Sequence, residues 1–130
     1  MSEKNILNVW PILSDYPKRM FVEAIHDDWE GFRIILADVE FKTRIRISFI
    51  NKLSYRNTGE GFLLQLWETT EEKKLGNTFY LISNSTYIDF FNEMSYGLYK
   101  EKEIKHYAIY SDSDCIDVLS ITEPIINLLD

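Results

Sequence analysis

The sequence predicts an α+β fold, an antiparallel sheet of five or six strands with one or two helices packed on one face. Three observations carry this expectation. Ile45, Ile47 and Phe49 alternate with Arg44, Arg46 and Ser48 over Thr43–Ile50, the period of a half-buried strand. Several apolar runs are separated by connections short enough to force neighbouring strands antiparallel. One segment, beginning at Thr86, has the acidic first turn and apolar stripe of a helix.

In order, Ile6–Trp10 is an apolar run stopped by Pro11, either a short strand or an ordered arm. Residues 11–19, with Pro11, Asp15 and Pro17, read as a turn-rich connection. Met20–His26 and Phe32–Val39 read as strands joined by the turn Asp27-Asp28-Trp29-Glu30-Gly31. With Thr43–Ile50 they form a three-stranded meander. Residues 51–61 read as a loop in which Gly59 and Gly61 relax a turn. Phe62, Leu63, Leu66 and Trp67 recur at helical spacing, so 61–69 reads as a short helix, with a strand as the alternative. Thr78–Ile82 is a short strand. Thr86 then caps a helix with Asp89 in its first turn; Tyr87, Phe90, Phe91 and Met94 make its apolar stripe, and Gly97 stops it, with Leu98 packing back. Ile104–Tyr110 and Cys115–Ser120 form a hairpin around Asp112-Ser113-Asp114. Ile125–Leu129 is a tail packed on the body.

A chain of 130 residues with 45% apolar content fits one domain, 1–130. The start MSEKNILNVW lacks the apolar stretch of a signal peptide, and no window is long and apolar enough to span a membrane. Cys115 is the single cysteine, which fits a buried structural thiol better than a nucleophile or redox sensor. A cytoplasmic location is the expectation.

The net charge of −7 is unevenly spread. Residues 41–56 hold five bases and no acid, whereas residues 57–130 hold thirteen acids against five bases. Such a field disfavours nucleic acid and favours a basic protein partner, although acidity also serves solubility alone.

No phosphate loop and no HExxH, GxSxG or CxxC motif is present, so no cofactor is expected. His26, Asp27, Asp28 and His106 offer metal-ligand chemistry, but such a run at a strand end reads more simply as a solvated turn, and no metal is expected. His26 and His106 also allow a ribonuclease or phosphodiesterase reading, one imidazole as base and the other as acid, with Arg44 and Arg46 holding the phosphate. The plainer role of Arg44 and Arg46 is to neutralise carboxylates on adjacent strands. For partner binding the candidates are Asp27, Asp28, Trp29 and Glu30 in one turn and Asp112, Asp114 and Asp117 near another, carboxylates that would pair with a basic partner. Trp29 either folds back on the body or meets that partner.

The runs Asp28-Trp29-Glu30-Gly31-Phe32, Leu53-Ser54-Tyr55-Arg56-Asn57, His106-Tyr107-Ala108-Ile109-Tyr110 and Ile116-Asp117-Val118-Leu119-Ser120, with Glu123-Pro124, resemble small bacterial proteins of immunity-protein type, some of which travel with toxins. The resemblance covers about a third of the chain and implies a protein partner, without a role for any single residue. The reading that results is a non-catalytic module that neutralises or regulates a basic partner. A histidine-pair ribonuclease and a small-ligand or structural module are the alternatives.

Overall fold

A computed structural model describes residues 4–13, 15–40, 42–59, 61 and 64–129. Its elements in chain order are β1 (Ile6–Val9), β2 (Phe21–Asp28), β3 (Gly31–Ala37), β4 (Arg44–Phe49), β5 (Lys52–Thr58), α1 (Leu64–Thr69), β6 (Phe79–Ser83), α2 (Thr86–Met94), β7 (Lys105–Tyr110), β8 (Cys115–Ser120) and β9 (Ile125–Leu129). The strands form two antiparallel sheets rather than one. Five strands are ordered β1-β6-β7-β8-β5 and four are ordered β2-β3-β4-β9.

The alternation in β4 does what its pattern requires. Ile45, Ile47 and Phe49 are buried, while Arg44, Arg46 and Ser48 face outward. Across β3 the same face presents Phe32, Ile34 and Leu36. These pack against Tyr107, Ile109, Ile116 and Val118 of the larger sheet, with Trp10 and Met20 joining the cluster. Phe49 meets Tyr107 edge-on at 5.4 Å between ring centres. Burying one such side chain contributes about 1.5–3 kcal/mol, so this layer between the sheets dominates the stability.

The second face of the larger sheet is also covered, and that explains the single-sheet expectation. β7 and β8 are buried at nearly every position, so they carry no period-two signal. Their inward residues meet the smaller sheet. Leu7, Tyr80, Ile82, Ala108, Tyr110 and Cys115 point the other way and pack with Leu66 and Trp67 of α1. The architecture is therefore three layers: the small sheet, the large sheet, and a thin helical cover.

Two segments differ from expectation. Residues 52–58 are strand β5, not loop, paired with β8 from Lys52↔Ser120 to Thr58↔Cys115 around a bulge at Lys52/Ser54. Tyr55 turns inward against Phe32, 4.5 Å between ring centres, while Arg56 turns to the helical side. The tail is strand β9, the edge of the smaller sheet, paired with β4 from Arg44↔Leu129 to Ser48↔Ile125. Helix α1 is present at Leu64–Thr69; Phe62 and Leu63 lie outside the described residues.

The N-cap of helix α2 lies one residue before the expected one. Ser85 is the N-cap, its Oγ accepting the Ile88 N–H at 3.0 Å, and Thr86 is the first helical residue. Its end also differs. The Gly97 N–H donates to Asn92 O (2.8 Å) and the Tyr96 N–H to Glu93 O (3.2 Å), the two bonds of a Schellman ending. That geometry places Tyr96, at φ 54°, in the left-handed position glycine normally fills, and Gly97 (φ 71°) falls one residue later. Tyr87 is buried and Phe91 half-buried against Tyr99, but Phe90, Met94 and Leu98 are exposed. The apolar stripe thus splits between two sides of the helix.

Candidate functional site

Beneath α2 the large sheet carries a closed polar network. His106 on β7 and Asp117 on β8 are 2% and 0% exposed and point to the helical side of their strands. His106 Nε2 lies 2.7 Å from Asp117 Oδ1, and its Nδ1 lies 2.7 Å from Ser85 Oγ. The Tyr110 hydroxyl donates to Asp117 Oδ1 at 2.5 Å, and Arg56 Nε donates to Oδ2 at 3.2 Å. Tyr87 closes the outer side. Its ring stands perpendicular to His106 and beneath the Arg56 guanidinium, 4.3 Å from ring centre to Cζ, and its hydroxyl pairs with Ser54 Oγ.

Burial alone would raise the Asp117 carboxyl pKa. The His106 hydrogen bond and charge, then Tyr110 and Arg56, outweigh it and hold the pKa below the ordinary carboxylate value. Burial, followed by the adjacent Asp117 charge, raises the Tyr110 phenol.

Ser85, His106 and Asp117 have the residue types of a nucleophilic triad but not its working arrangement. Ser85 is 5% exposed, and its oxygen already accepts the Ile88 N–H. Both imidazole nitrogens are occupied by Ser85 and Asp117. Two described cavities lie elsewhere, one of about 330 Å³ beside Lys4, Thr70 and Lys74 and one of about 110 Å³ beside Trp10, Lys18 and Phe79. The network's chemistry is that of a structural clamp joining β5, β7, β8 and the start of α2.

The histidine pair does not assemble. His26 is opposite Arg33 on the outward face of the small sheet, whereas His106 faces the helical side of the large one. Both sheets and the core between them separate the two, and packed sheets lie about 10 Å apart. One imidazole therefore cannot serve as base and the other as acid on the same phosphate, and His106 is likewise removed from any metal set with His26, Asp27 and Asp28. Among the described residues no group of three His, Cys, Asp or Glu side chains is placed to hold a metal. Cys115 is buried in β8.

Arg44 pairs with Glu23 at 2.8 Å, and that hydrogen bond raises its pKa. Arg46 donates to Asn127 Oδ1 at 3.3 Å. The acidic candidates are divided. Asp27, Asp28, Trp29 and Glu30 sit at one end of the paired sheets, where Lys52 holds Asp27 and Arg33 holds Asp28 (2.9 and 2.8 Å). The Arg33 hydrogen bond lowers the Asp28 pKa. Asp112 and Asp114 sit at the other end of β7 and β8, bonded to Arg19 and Asn57. Asp117 must be corrected: its carboxylate is wholly buried and contributes to no surface. Trp29 does not fold back, being 93% exposed.

The sequence alone did not show that several apolar residues of α2 and the turn after it are left exposed. Phe90 and Met94 stand one turn apart on the outer side of α2, and Tyr96 and Leu98 follow in its terminal turn. They are 59%, 64%, 99% and 73% exposed. Exposed Asp89 and Glu93 flank them on the same helix. The available signal was an apolar content too high for one helix face.

No family model matches the chain, and neither a curated protein nor a solved structure matches it.

Proposed function

We propose that this chain is a non-catalytic binding protein that neutralises a basic protein partner, and that it does so through the outer side of α2 and the turn after it. Inhibition of a toxin by its immunity protein, in the cytoplasm, is the most concrete form of this function. The observation that carries the proposal is the run Phe90, Met94, Tyr96 and Leu98, four large apolar side chains left to solvent within nine residues. Large apolar side chains left exposed this close together along the chain point to an interaction surface. Tyr96 adds to the argument, because an aromatic residue in the left-handed region costs about 1–2 kcal/mol that glycine would avoid. A residue retained there at full exposure is explained by what its ring contacts in a complex.

Residues 64–103, which include both helices, hold seven acids and four bases. Asp89 and Glu93, exposed on α2 itself, would meet Lys and Arg at the partner's rim while the apolar residues supply the central contact. Binding then occludes the partner's own site, and no bond is made or broken. The buried His106–Asp117 clamp supports α2 from beneath. No transmembrane-length apolar helix occurs among the described residues.

The test is site-specific photo-cross-linking in the protein's own cells, with the reactive residue placed at position 90, 94 or 29. The proposal expects one protein adduct from 90 and 94, diminished at high salt. Adducts from 29 alone would move the site to the Trp29 turn and overturn it. So would cross-linking that yields no discrete protein from 90 or 94.

A further inference from the structure

We propose that β9 is the seat of a homodimer. The β9 strands of two copies pair antiparallel about Asn127 and join two four-stranded sheets into one of eight strands. This goes beyond the partner surface on α2 and uses a different part of the molecule.

A strand edge with unpaired N–H and C=O groups is a template for another strand, and proteins ordinarily block it with charge, proline, a bulge or a cover. The two sheets have four edges: β1, β5, β2 and β9. β2 carries Glu23, Asp27 and Asp28 and is bulged between Val22 and Ala24. β5 carries Lys52 and Arg56 and is bulged between Lys52 and Ser54. β1 is four residues long and lies against the turn Glu72–Lys74. β9 has none of these devices. Its sequence, Ile125-Ile126-Asn127-Leu128-Leu129, contains no charge and no proline, and it pairs with β4 without a register shift.

The occupant follows from the order of residues. An antiparallel two-fold through Asn127 sets Ile125 opposite the second copy's Leu129, Ile126 opposite its Leu128, and Asn127 opposite itself. Every apolar residue then meets an apolar residue, and the amides meet at the axis. This is the self-complementarity that an isologous interface requires. Exposure agrees with it. Leu128 lies opposite the fully buried Ile45 in β4, so it is on the core side of the sheet, yet it remains 65% exposed. Ile126 of a second copy would stand beside it. Ile125, 48% exposed on the outward face, would meet Leu129 in the same way. The adjacent strand β4 presents Arg44 and Arg46 outward, and β9 itself carries no acid to repel its counterpart in a second copy.

The experiment uses Asn127→Cys in the full chain. Across a two-fold, opposed Cβ atoms lie within disulfide reach, while Cys115 is buried and serves as an internal control. Mild oxidation is expected to convert N127C into a disulfide-linked dimer much faster than W29C, whose site is exposed but far from β9. Sedimentation of the unmodified chain should give twice the chain mass as concentration rises, and Leu128→Lys should return it to one. If L128K fails to fold by circular dichroism, the N127C comparison decides alone. A wild-type chain that stays monomeric at every concentration, or N127C that cross-links no faster than W29C, overturns the proposal.

Discussion

Replacing Asp117 by Asn tests the buried clamp, because the change keeps the shape and removes the charge. The carboxylate accepts from His106 at 2.7 Å, Tyr110 at 2.5 Å and Arg56 at 3.2 Å. A hydrogen bond to a charged group contributes about 1.5–3 kcal/mol, and removing one member of a buried pair costs about 3–5 kcal/mol. Asparagine retains one acceptor oxygen. The Arg56 side chain is 38% exposed, so water screens its share. A loss of about 2–4 kcal/mol remains, read as a lower urea midpoint or a fall of roughly 10 °C in Tm. The pH dependence follows from the depressed carboxyl. Its folded pKa lies below the unfolded value of about 3.9. Its contribution is therefore complete above that value and is lost as pH falls through the folded pKa. Urea titrations of wild type and D117N should show the widest gap near neutrality and a closing gap in acid. A difference under about 0.5 kcal/mol at neutral pH would show that the carboxylate contributes little, and a gap that persists unchanged into acid would show that its charge is not the cause.

Tyr107 presents a different case, since its buried hydroxyl has no hydrogen-bond partner among the described residues and burial pushes its pKa up to about 12. Tyr107→Phe should therefore be neutral or stabilising by up to about 1 kcal/mol, measured by urea denaturation; a clear loss would show that the hydroxyl is satisfied in solution. Ser85→Ala removes both the α2 cap and the His106 contact. It should cost about 1–2 kcal/mol and speed amide exchange at Ile88, and unchanged exchange there would contradict the cap.

The parts of the fold legible in the sequence are those with one dry and one wet face. β4 shows this best: its alternation of Ile and Phe with Arg and Ser matches its burial residue by residue. β7 and β8 lie between two layers and are buried on both faces, so period two is absent and the helical side of the large sheet could not be inferred. The same burial hid the role of Asp117. A charged residue amid Cys115, Ile116, Val118 and Leu119 was itself the clue to a buried partner, and His106 among apolar residues of the adjacent strand was the second half of it. β5 read as a loop because its residues are mostly polar; Ser54 and Arg56 face the network rather than an apolar core. The α2 ending was obscured by Gly97, since the left-handed position falls on Tyr96. Which apolar residues stay exposed depends on which side of α2 meets the sheet, a tertiary fact that the helix's own sequence does not contain.

Tyr96→Gly separates binding from folding at this surface. Glycine relieves the left-handed backbone, offset in part by its greater unfolded freedom, so the variant should be as stable as wild type or more stable by about 0.5–1 kcal/mol. The decisive measurement is the affinity of Y96G, alongside W29A, for the protein recovered by cross-linking from position 90. Y96G is expected to fold well but to bind at least about tenfold more weakly, a loss near 1.4 kcal/mol, while W29A binds as wild type. Wild-type affinity in Y96G would contradict the assignment of α2 and its terminal turn as the binding surface.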